Sequence, residues 1–160
     1  MTWFRRVREE GQADAAPDED DSPEALLNTQ FELTHFINAN AGKLPGEAVV
    51  IARRITDTVR EVIDTSTEHP LDIYAIVSIR GVLDDYLPTA LRGYLALDPS
   101  LVDTARPSGR TPNQSLLEQL DALWSSATDL LVATRAHDAD ALMTHGNFLR
   151  TKFTGSDLDL

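Results

Sequence analysis

The chain has 160 residues, with 14 Lys and Arg against 26 Asp and Glu for a formal net charge of -12, and it has no cysteine. The missing cysteines exclude disulfide scaffolds, thiol chemistry, iron–sulfur centres and thiolate zinc sites. The acidity argues against unaided binding to nucleic acid or anionic lipid, which needs clustered cations, and a hydrophobic fraction of 42% is ample for one core at this length.

Residues 1–21 predict a disordered acidic tail. A short amphipathic start, Trp3-Phe4-Arg5-Arg6-Val7-Arg8, leads into a Gly, Ala, Pro and acid stretch with no large apolar anchor. Low hydrophobicity with high net charge cannot offset the entropy of ordering. Three Arg against seven acids give this segment -4 and leave -8 on the remainder, so the acidity is not confined to the tail. There is no apolar run of membrane-spanning length and no signal-peptide pattern, so a cytoplasmic location is the default expectation.

From Ser22 to residue 155 the punctuation is helical. Ser22-Pro23-Glu24 sets an N-cap hydroxyl, a pre-formed φ and an acid at the positive end of a helix. Leu26, Leu27, Phe31, Leu33, Thr34 and Ile37 follow at helical spacing, and Asn40-Ala41-Gly42 supplies a stop. A second helix runs from near Pro45 to about Thr65, with Ala48, Ile51, Ala52, Ile55, Val59, Val62 and Ile63 on its apolar stripe. Its Arg53, Arg54, Asp57, Arg60, Glu61 and Asp64 stand at i,i+3 and i,i+4 spacings, which predicts a solvated, internally paired face.

A third segment, Leu71 to Leu83, is rich enough in β-branched residues to raise a strand, but its apolar spacing and Asp72 favour a helix. Pro88 removes an N–H and clashes with the preceding turn, so Asp84-Asp85-Tyr86-Leu87-Pro88 predicts a kink or restart, with the helix continuing through Leu91, Tyr94, Leu95 and Leu97. Asp98 to Arg110 is a linker that either crosses an end of the fold or is mobile. Thr111-Pro112-Asn113-Gln114 reads as a capping box opening a helix to about Arg135, and Asp138 caps a last helix closed by Gly155. The expected architecture is all-α, an antiparallel bundle of four to six helices over residues 22–155, with residues 156–160 a second disordered end.

No reactive set stands out. The four histidines, His35, His69, His137 and His145, show no metal-binding spacing, and no nucleotide-binding loop or nucleophile elbow is present. No metal or cofactor is expected. A phosphate-directed reading would have to use Asp84 and Asp85 with His137 and His145 around a divalent cation. Adjacent acids on a helix diverge by about 100° and do not readily converge on one atom. Trp3, Phe4, Arg5 and Arg6 are candidates for weak docking on a partner or membrane.

Tyr86-Leu87-Pro88-Thr89-Ala90-Leu91, followed by Tyr94-Leu95-Ala96-Leu97, resembles the central motif of the bacterial bromo-chloro-indolyl phosphate hydrolysis (XpaC-like) family. The resemblance continues through Leu117–Leu131 and His137–Leu142 to Leu149, covering roughly residues 71–153. It implies a helical protein whose relatives are associated with toxic-anion resistance proteins, and hence a protein partner in a toxic-anion or envelope stress response. It carries over no catalytic residues. Within the motif, Tyr86, Leu87 and Pro88 are expected to shape the helix, and Leu91 and Tyr94 to pack its core side. The sequence therefore favours a non-enzymatic adaptor or interaction protein, the alternative being a metal-dependent phosphohydrolase or phosphate-binding protein.

Overall fold

Four of the six α-helices among the described residues begin where a side chain takes up an otherwise unpaired backbone N–H. The computed structural model describes residues 19–153; Trp3, Phe4, Arg5 and Arg6, Gly155 and the segment 156–160 lie outside the described residues. Helix α1 is Pro23–Ala39, with the Ser22 hydroxyl accepting from the Ala25 N–H at 3.1 Å. Helix α2 is Gly46–Asp64, entered from Pro45. Helix α3 is Ile73–Arg80, where Asp72 Oδ1 accepts from the Tyr74 N–H at 2.8 Å. Helix α4 is Leu87–Leu95. Helix α5 is Pro112–Arg135, opened by the reciprocal Thr111–Gln114 capping box. Helix α6 is Ala139–Phe153, with Asp138 Oδ1 accepting from the Ala141 N–H at 3.0 Å. Among the described residues there is no strand, and the protein is all-α.

One tail residue range departs from expectation. Glu19–Asp21, read from sequence as part of the tail, forms a 3-10 turn, and Asp21 Oδ1 accepts from Arg80 Nε at 3.0 Å. Composition could not reveal this, because the partner lies 59 residues away on α3.

The core is built from the stripes the sequence displays. Helix α2 packs on α5 and on α1, α6 packs on α3 and α5, and α4 packs on α5. Ile55, Val59, Ile63, Leu87, Leu91, Leu116, Leu120, Leu123 and Leu130 are fully buried. Burying one such side chain stabilises the fold by about 1.5–3 kcal/mol relative to exposure. Gln30 is polar and buried, and its Nε2 donates to the Thr56 carbonyl at 3.1 Å across the α1–α2 contact, which removes the cost of an unpaired amide. On the solvent face of α2, Arg60–Asp64 closes at 3.9 Å. Arg53 donates instead to Asn38 at 2.8 Å, and Arg54 lies 5.0 Å from the Trp124 ring centre. That face is knitted to neighbouring helices more than to itself.

Pro88 does not break its helix. The turn before it, Gly81–Tyr86, widens into a π-helix, so α3, the π turn and α4 run on as consecutive helical segments. The Leu87 N–H reaches back five residues to the Val82 carbonyl. A π turn absorbs one extra residue and so relieves the clash a proline makes in an α-helix. The linker 98–110 is held as a sequence of turns: Asp98 caps the 3-10 turn Pro99–Leu101, the Val102 carbonyl accepts from the Asn113 N–H at 3.2 Å, and Gly109 takes the left-handed φ of 85° that its turn requires.

Candidate functional site

The residues with chemistry to offer are spread over the fold. Asp84 and Asp85 sit exposed on the π turn. Asp84 accepts from Arg80 Nη1 at 3.2 Å, and Asp85 accepts from the Thr89 hydroxyl at 3.2 Å. Both carboxylates are thus engaged by their own helix. His137 lies beyond the other end of this rod, lining a cavity with Asp72 at the start of α3. Twelve residues separate Asp72 from Asp84, roughly 18 Å of helix. His145 is a third place again, on α6 facing α5, where its Nε2 stands 2.6 Å from the Ser126 carbonyl. Among the described residues no three His, Asp or Glu side chains come together as a metal cage.

The environment of His145 is that of a packing residue. Its Nε2 must carry the proton, because the partner is a carbonyl oxygen, and Nδ1 is then a buried acceptor without a partner. Burial holds the imidazole below its ordinary range, opposed by the Ser126 hydrogen bond and by the Asp129 charge.

The motif residues behave as structure. Leu87, Pro88 and Leu91 are buried in the core. The Tyr94 hydroxyl donates to Asn113 Oδ1, and Asn113 Nδ2 donates to Asp103 at 2.6 Å, tying α4 to the start of α5 and to the linker. Tyr86 stacks on Phe153 of α6 with ring centres 5.5 Å apart.

Two features escape the sequence. The first is a groove of about 270 Å³ between α3 and α6, bounded by Tyr74, Val77, Met143, Gly146, Asn147 and Arg150. Tyr74, Val77 and Met143 are large apolar residues left 41%, 57% and 42% exposed. Gly146 keeps the floor open, with only the Ser78 hydroxyl within reach of a Cβ built there. Arg150 is the single charged residue in the lining. Each residue lies on an amphipathic segment whose alternative fate was burial, so no local signal marks the groove. The second feature is a pair of imidazoles, His69 and His137, with ring centres 4.5 Å apart. They are 68 positions apart in sequence, so spacing rules had no means of finding them.

Searches against family models, curated proteins and solved structures found no match for this chain. The resemblance to the XpaC-like family accordingly rests on the motif residues alone. Among the described residues no helix is long and apolar enough to cross a membrane.

Proposed function

We propose that this protein is a non-enzymatic interaction module that receives an amphipathic helix of a partner protein in the groove between α3 and α6. The observation that carries this reading is the exposure of Tyr74, Val77 and Met143 around one open-floored groove. Contiguous exposed apolar surface is costly in water and marks interaction sites. Two helices side by side offer the groove in which a third seats its i, i+3, i+4, i+7 stripe. Arg150 adds direction: it is the one charge in the lining and favours a partner helix with a carboxylate beside its apolar stripe. The resemblance to XpaC-like chains makes a toxic-anion resistance protein, in a toxic-anion or envelope stress response, the first partner to try.

The absence of native cysteine makes the test clean. Val77→Cys and Met143→Cys each give a unique attachment point for a photo-crosslinker in the groove. Val132→Cys gives an equally exposed control on α5. A protein adduct that forms from both groove positions, is absent from the control and is lost on Arg150→Glu supports the reading. Adducts of equal yield from all three positions, or from none, overturn it.

A further inference from the structure

We infer that His69 and His137 form a two-imidazole binding site for a late first-row divalent cation such as Cu2+, Ni2+ or Zn2+. The two rings come from different connections: His69 from the segment between α2 and α3, and His137 from the turn between α5 and α6. Their centres are 4.5 Å apart with the planes at 59°. With metal–nitrogen bonds of about 2.0–2.1 Å, two imidazoles in cis positions on one ion set their ring centres roughly 4.5–5 Å apart. The observed pair already has that spacing. Both residues are exposed and line one small cavity with Thr65, Asp72, Thr134 and Leu142, so an ion can enter without opening the core.

The donor chemistry sets the class of cation. Imidazole suits copper, nickel and zinc, and affinity within that row follows the Irving–Williams order. Hard cations such as Mg2+ and Ca2+ require oxygen cages, which this cavity does not provide. Asp72 Oδ1 is held by the Tyr74 N–H and the Thr65 hydroxyl donates to the Val62 carbonyl. Among the described residues no third His, Asp or Glu joins the pair in a ligand group, so water completes the coordination shell and the site is open and exchangeable.

The backbone at His137 bears on the same site. Helix α5 ends in a Schellman arrangement: the Asp138 N–H donates to the Ala133 carbonyl, the His137 N–H to Thr134, and His137 holds a φ of 53°. Glycine is the residue that position ordinarily favours. A histidine there bears a conformational cost, and its ring lies beside that of His69. An ion held by both rings ties the two connections together and stabilises the fold by mass action.

The test uses the untagged full chain, titrated calorimetrically with Cu2+, Ni2+ and Zn2+, with thermal melts in parallel. One equivalent of Cu2+ or Ni2+ should bind in the micromolar range and raise Tm. His69→Gln and His137→Gly should each weaken binding at least about tenfold, since a single imidazole remains, while His35→Gln leaves it unchanged. His137→Gly relaxes the left-handed backbone, so its loss of binding cannot be ascribed to misfolding. No binding tighter than millimolar, or equal affinity in all variants, overturns the site. Neither result touches the α3–α6 groove, which is tested by crosslinking.

Discussion

The ring of Tyr86 fills the space that any side chain on Gly81 would need. A Cβ at position 81 would stand 2.6 Å from Tyr86 Cε2 and 3.3 Å from Cζ. The two residues are the first and last of the π turn, five apart, which is the spacing at which a π-helix brings side chains over one another. Tyr86 also packs against Phe153, ring centres 5.5 Å apart, so moving its ring away from Gly81 disturbs that contact. Gly81→Ala should therefore destabilise the protein by about 1–3 kcal/mol through overpacking. Urea unfolding measures this, and in a Tyr86→Leu background the cost of the alanine should shrink, giving a coupling energy between the two sites. An unchanged midpoint for Gly81→Ala would show that the ring moves freely.

Leu91 is completely buried between α4 and the core. Leu91→Ala removes its contacts and leaves a cavity, so the expected loss is about 2–5 kcal/mol. Leu87 and Leu120, equally buried, should respond alike. A thermal midpoint for Leu91→Ala indistinguishable from the parent would place the interior elsewhere.

Acid should weaken the fold through His145. Burial lowers its value in the folded protein, whereas in the unfolded chain the imidazole titrates near its ordinary value of about 6.5. Between those two values the unfolded state binds a proton that the folded state refuses, so stability rises with pH across the window. The contribution is complete above about pH 6.5 and is lost as pH falls toward the folded value. His145→Gln should flatten the dependence of Tm on pH below about pH 6.5. Identical profiles for parent and variant would refute the assignment.

Because Asp84 and Asp85 are engaged by Arg80 and Thr89, and His137 and His145 lie elsewhere, no phosphoryl-transfer centre is assembled from these four residues. The purified chain should turn over p-nitrophenyl phosphate no faster than buffer with Mg2+, Mn2+ or Zn2+. Asp84→Asn should alter stability by less than about 1 kcal/mol, as for an exposed ion pair. Metal-dependent turnover that Asp84→Asn abolishes would support the catalytic reading instead.

The sequence by itself determined what is local. Ser22, Thr111 with Gln114, and Asp138 each bond to a backbone N–H three residues on, so those helix starts could be read directly from residue order, while Asp72, expected inside a first turn, caps its helix from outside. The apolar stripes of α2 and α5 predict their buried faces because helical periodicity is fixed by 3.6 residues per turn, whereas on α1 Phe31, expected on the stripe, is 70% exposed and Gln30 is buried in its stead. At Pro88 the sequence showed that the α pattern must yield, but the widened turn depends on how Tyr86 meets Gly81 and Phe153. The net charge of -12 described a surface and located no site. Only the tertiary structure brought Asp21 to Arg80, His69 to His137, and α3 beside α6 with Tyr74, Val77 and Met143 left open between them. Such pairings depend on how helices distant in sequence pack, and the spacing of residues along one chain carries no term for that.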